Sequence, residues 1–145
     1  MVSGFDHIDV VVKDIHQATR DYERILGIKP TEVAVEQEGQ GFMQSEFPLG
    51  DSGSYIYIVQ PTSDKYQAGA AMKQTLERSG EGIHVIALTV DVENLMEHVK
   101  KSGEDVITSN HSHSFFVHPK RLNRVLYQLM APRLSNGTIK APNFI

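Results

Sequence analysis

The chain has no cysteine among its 145 residues, which removes disulfides and thiolate chemistry and leaves nitrogen and oxygen as the only donors for a bound metal. It also lacks any apolar run near the roughly 20 residues that a membrane-spanning helix needs. The N-terminus does not show the charged-then-apolar pattern of a secretion signal, so a cytoplasmic setting is expected. Basic excess is missing as well. With 14 Lys and Arg against 18 Asp and Glu, the net charge is −4, which gives no electrostatic footprint for nucleic acid or an anionic membrane. What remains is length enough for one ordinary domain, which buries about two-thirds of its unfolded surface.

Two stretches of the chain repeat one another. Phe5-Asp6-His7-Ile8-Asp9-Val10-Val11-Val12 and Gly82-Ile83-His84-Val85-Ile86-Ala87-Leu88-Thr89-Val90 each lead to an aspartate (Asp14, Asp91), a helix-like segment and a glycine (Gly27, Gly103). His7 and His84 lie 77 positions apart, which sets two imidazoles at matching points of two copies. Further along, an offset of 71 carries Tyr57 onto Gln128, Pro61 onto Pro132 and Phe47-Pro48 onto His118-Pro119. A period this long reads as a doubled module; solenoid repeats run about 20 to 50 residues.

Within each copy the pattern is βαβββ. Residues 5–12 are β-branched and apolar, Asp14 and Gln17 fit a capping box, and Ile15, Ala18, Tyr22, Ile25 and Leu26 form a helical stripe ended by Gly27. Strands are expected near 31–37, 40–47 and 54–60, and in the second copy near 83–90, 105–108, 112–118 and 124–131. Between the copies, Ser63 is placed to cap a linker helix over about 64–78. Together these make one domain over 1–145: module one at 5–61, the linker helix at 63–79, module two at 82–132, and an arm over 133–145. Side-chain alternation puts His7 with Asp9 and Val11, Tyr57 with Tyr55 and Val59, and Gln128 with Leu126 and Met130. The fold class is α+β, with two paired modules curling a mixed sheet into a cup around a central cavity.

At Phe5-Asp6-His7-Ile8 with Val12-Lys13-Asp14, at Tyr22-Glu23-Arg24-Ile25-Leu26-Gly27, at Gly80-Glu81-Gly82-Ile83-His84 and at His118-Pro119-Lys120, the chain resembles the vicinal oxygen chelate superfamily. This is the glyoxalase, bleomycin-resistance and dioxygenase fold, and the resemblance is strongest to its methylmalonyl-CoA epimerase branch. It implies a divalent metal ion held by His7, His84 and Gln128, with Tyr57 at the remaining ligand position. It also implies proton transfer at Gln44, where that branch keeps a glutamate. None of these three positions supplies a carboxylate, since Tyr57 stands where Gln or Glu is expected and Gln128 and Gln44 where Glu is expected, and an amide has no useful basicity at neutral pH.

The offset of 71 also places Phe115 opposite Gln44 and sets His111 and His113 on the same strand face. One of these imidazoles is a candidate base, since it titrates near neutrality. Lys120 is a candidate for a CoA phosphate. The resemblance thus implies a metal-dependent isomerase or lyase, a homodimer acting on a small carbonyl or acyl-CoA substrate through a metal-stabilised enolate. The alternative is a small-molecule binding protein without turnover, in the manner of the resistance proteins.

Overall fold

The computed structural model describes residues 1–108 and 113–134. His111 and the arm from residue 135 onward lie outside the described residues. The elements follow the order β1 (Val2–Val11), α1 (Ile15–Leu26), β2 (Glu32–Gln37), β3 (Phe42–Pro48), β4 (Tyr55–Pro61), α2 (Gln67–Ser79), β5 (Gly82–Val90), α3 (Val92–Lys101), β6 (Ile107–Thr108), β7 (Ser114–Phe116), a 3-10 turn (Pro119–Leu122) and β8 (Tyr127–Met130). This is the expected α+β class, with parallel and antiparallel pairings mixed. No described helix is long and apolar enough to cross a membrane.

The chain divides into two compact units, His7–His84 and Met1–Asp6 with Val85 onward. Both boundaries fall inside strands, and helix α2 lies within the unit His7–His84. The unit from His7 to His84 has the strand order β2-β3-β4-β1, with β1 parallel to β4 and β3 antiparallel to it. Its two faces carry different helices. Val10, Val12, Phe47 and Ile58 form one buried cluster with Ile15, Ala18 and Tyr22 of α1. Val11, Phe42, Tyr57 and Val59 form a second with Met72, Ala68 and Leu76 of α2.

Asp14 caps α1, its Oδ1 accepting from the Gln17 amide at 3.1 Å, and Gly27 closes the helix in the left-handed region at φ 67°. The Gln17 side chain donates to Asp21 rather than back to the cap. The expected helical stripe is shorter than the spacing implied, since Ile25 and Leu26 are exposed and Thr19 turns inward. There its hydroxyl donates to the Ile15 carbonyl and shares a hydrogen bond with Ser45 Oγ at 2.7 Å, satisfying two buried polar groups beneath α1.

Helix α2 starts later than expected, at Gln67, with no side-chain cap. Ser63 is held in a tight turn, its hydroxyl accepting from the Lys65 amide. Gln40 and Gly41 offer their carbonyls to the amides of Gly69, Thr62 and Ser63. Gly69 is what lets the helix approach this closely.

In the other unit the first residues of β1 lie beside β5, followed by β8, β7 and β6. The Ser3 hydroxyl donates to the Thr89 carbonyl and the Asp91 amide to the Met1 carbonyl. Val90, Val92, Leu95, Phe115, Val117 and Leu129 make its core beneath α3.

Candidate functional site

The face of unit His7–His84 opposite α1 is where the sequence gathers its polar groups, and strand pairing orders them in cross-strand rows. Pro48, Tyr55 and His7 lie side by side on β3, β4 and β1; Glu46, Tyr57 and Asp9 form the next row; Gln44, Val59 and Val11 the third. Directly paired residues project to the same side of a sheet and sit about 5 Å apart. Alternation confirms the face. Ser45, between Gln44 and Glu46, points the other way to Thr19 of α1. Helix α2 packs on this face against Val11, Val59, Phe42 and Tyr57, with Tyr55 at the margin of the same cluster.

His7, Asp9 and Tyr57 are buried and form the floor, while Gln44, Glu46 and Tyr55 are half-buried above it. His7 Nε2 lies 3.3 Å from Asp9 Oδ1, and the Tyr57 ring sits 4.4 Å from the imidazole, with Tyr55 a further 5.8 Å along. Asp9 Oδ1 is buried without a hydrogen bond. A buried carboxylate oxygen in that state is costly unless a nearby cation or donor compensates it, and His7 is the neighbour placed to do so. The Glu46 carboxylate accepts a hydrogen bond from the Thr31 hydroxyl at 3.1 Å.

His84 Nδ1 lies 2.8 Å from the Thr75 hydroxyl of α2. Because that hydroxyl donates to the Ala71 carbonyl, its oxygen accepts from Nδ1–H, an assignment that follows from the network. Burial pushes the His84 pKa below its ordinary 6.5, and the Asp9 charge pulls in the opposite direction. The unfolded chain therefore takes up a proton below pH 6.5 that the folded chain refuses. Stability falls as pH drops from 6.5 toward the lower folded value, and His84 has no effect above that window. His84→Gln, whose amide still donates to Thr75, is expected to flatten the fall in melting temperature over this range. Equal falls in both proteins would contradict it.

The two histidines are not at matching points. Asp9 pairs with Tyr57 in one unit and Ala87 with Gln128 in the other, so the position equivalent to Asp9 is Ala87 and the one equivalent to His7 is Val85. His84 is one residue out. The cause is local: register sets Val12 level with Val90, so Lys13 is one extra residue before the cap Asp14, whereas Asp91 follows Val90 directly. Matching the caps therefore misaligns the strands by one, and a one-residue slip exchanges the two faces.

The same happens on β7. Gln44 pairs with Val59, and Ser114 pairs with Met130, so Ser114 rather than Phe115 stands at the Gln44 position. Phe115 is fully buried beneath α3. It packs the core and offers no surface to a substrate, correcting its expected place on the cavity face. Gln128 donates from Nε2 to Ser114 Oγ at 3.3 Å. His113 lies in a turn before β7, where its backbone carbonyl accepts from the Ala131 amide. Lys120 is exposed on the 3-10 turn, and its amide donates to His118 Nδ1. These residues belong to the other unit.

Asp9 and Glu46 are the acids that attention to His7 and Gln44 passed over. Each is two residues along its strand from one of them, and so on the same face.

The matching family model covers residues 6–118 and is that of the glyoxalase/bleomycin resistance protein/dioxygenase superfamily. The chain belongs to this superfamily. No curated protein matches it significantly in sequence. Among solved structures, methylmalonyl-CoA epimerase from Mycobacterium tuberculosis is similar at 22% identity with a TM-score of 0.77, covering 93% of this chain and 91% of that one. A variant of the Streptomyces coelicolor epimerase in complex with 2-nitronate-propionyl-CoA gives 23% identity and a TM-score of 0.77, covering 92% of this chain and 100% of that one. A hypothetical protein from Bacillus halodurans gives 25% identity and a TM-score of 0.75, covering 90% and 95%. At these identities the likeness establishes the fold.

Superfamily resemblance implies a divalent ion on His7, His84 and Gln128, but by register Val85, not His84, stands at the position equivalent to His7. His84 Nδ1 is held by Thr75 and His7 Nε2 lies beside Asp9. Among the described residues no three His, Asp or Glu side chains converge as a ligand set.

Proposed function

We propose that this chain is an isomerase-class enzyme that moves a proton on the carbon next to a carbonyl group. A small acyl-CoA thioester is the substrate class to which the solved relatives point, one of them having been crystallised with 2-nitronate-propionyl-CoA. The observation that carries the reading is the polar row Glu46, Tyr57 and Asp9 beside His7. It supplies the carboxylate that such chemistry needs, on the face where the family base position had become an amide. Buried side chains beneath it exclude water and fix the floor.

Each residue has a part. Tyr57 and the His7–Asp9 pair form a rigid base against which a flat thioester can lie. Gln44 presents an amide whose N–H groups can donate to a carbonyl oxygen. No step here is routed through a metal ion.

A second reading has its own support: with glutamine at position 44, the same face can bind a carbonyl compound without turning it over. Incubation with methylmalonyl-CoA in deuterated water separates the two. Deuterium appearing at the substituted carbon supports the enzyme. Saturable binding with no exchange supports the binding protein, and neither exchange nor binding overturns both.

A further inference from the structure

We infer that Glu46 is the base of this site, taking the place that Gln44 has vacated. The inference rests on the proton-transfer reading above and assigns its proton acceptor.

Three observations converge. Glu46 and Gln44 are two apart on β3 and project to one face, because Ser45 between them points to α1. Glu46 is paired directly across from Tyr57, which is itself paired with Asp9, so the carboxylate sits in the same row as the floor. It is half-buried while Asp9 is buried against His7. Of the acids on the face, Asp9 is buried and Glu32, paired with Glu46, is exposed at the β2 edge, so Glu46 is the half-buried one in the row with Tyr57. The Thr31 hydroxyl donating to Oε1 at 3.1 Å orients the carboxylate.

The step balances without a co-reactant. Glu46 takes the proton from the carbon next to the thioester carbonyl; the C–H electron pair moves into the enolate, and negative charge collects on the carbonyl oxygen. Gln44, one strand repeat away on the same face, donates an N–H to that oxygen, so the amide that cannot be a base serves as an oxyanion donor. The protonated Glu46 returns a proton to the same carbon after exchange with solvent. Nothing is oxidised or reduced.

The test is deuterium incorporation into methylmalonyl-CoA, measured alongside ligand affinity by the full chain. Glu46→Gln keeps an oxygen to accept from Thr31 and is expected to lower the exchange rate about 10²- to 10⁴-fold, the usual contribution of a general base, with affinity unchanged. Glu46→Asp retains the acid at a shorter reach and is expected to fall between the two. Adding Gln44→Glu to Glu46→Gln is expected to restore part of the exchange, which a purely structural role for Glu46 would not produce. If the wild-type chain exchanges and Glu46→Gln exchanges within a few-fold of it, the assignment is wrong and the functional reading stands. If the wild-type chain does not exchange at all, the reading fails and the base assignment fails with it.

Discussion

Arg133→Ala is expected to lower the stability of the chain by about 3–5 kcal/mol, the range for stripping one partner from a buried ion pair. Arg133 Nε and Nη2 donate to Asp6 Oδ1 and Oδ2, each at 2.9 Å, in a bidentate fork. The Asp6 side chain is 2% exposed and that of Arg133 16%. Losing the guanidinium therefore removes both bonds of the fork from a carboxylate that is nearly buried. Had the pair been on the surface, the same substitution would cost at most about 1 kcal/mol.

The pair also joins residues 127 positions apart, both in the unit that contains β5 to β8. Its loss is expected to loosen the segment after β8 from the start of β1. Urea unfolding of Arg133→Ala, Asp6→Asn and the double variant measures the coupling. The double variant should be less damaged than the sum of the singles, since the fork can be lost only once. Strict additivity, or a loss below about 1 kcal/mol for Arg133→Ala, would show the fork to be a solvated pair.

Gly69→Ala should reverse the usual sign of its substitution type. Within a helix, alanine is ordinarily favoured over glycine by about 1 kcal/mol. At Gly69 a Cβ would fall 2.1 Å from the Ser63 carbonyl oxygen and 2.4 Å from that of Gly41. Both obstacles are backbone, and the Gly69 amide is itself bonded to the Gln40 carbonyl at 2.9 Å, so neither side yields cheaply. The expected cost is about 1–3 kcal/mol from overpacking, net of the propensity gain, read from the urea midpoint. A neutral or stabilising result would mean that α2 can lift away from the β3 start. The same movement would disturb Thr75 and its hold on His84, so the pH response of His84→Gln and the stability of Gly69→Ala are linked observations.

Much of the fold was legible because its signals are short-range. Asp14, Asp91 and Gly27 announce helix ends through hydrogen bonds and a left-handed residue that depend on a few neighbours. The βαβββ order follows from alternation and turn residues. Strand alternation even placed His7 with Asp9, the pair that the structure brings to 3.3 Å.

Register was not legible. The equivalence of His7 and His84 was read from their distance to the capping aspartates, and the one-residue difference between Val12-Lys13-Asp14 and Asp91 lies in the connection, where length varies freely. Only hydrogen-bonded pairing reveals it. That single residue moves Val85 into the matching place, and a separate one-residue difference between the β3–β4 and β7–β8 connections sends Phe115 from the expected cavity face into the core beneath α3. The sequence pattern does not single out Glu46 for a related reason: resemblance points to positions shared with relatives, whereas the face on which Glu46 lies follows from strand pairing.

We propose that the proton chemistry belongs to the rows of unit His7–His84 and runs without a divalent ion. Deuterium exchange into methylmalonyl-CoA by protein stripped with EDTA tests this most directly. The account predicts exchange at the same rate before and after chelation, with no gain and no rise in melting temperature when zinc, cobalt or magnesium is added back. Exchange that disappears with EDTA and returns with a divalent ion, accompanied by a higher melting temperature, would contradict it.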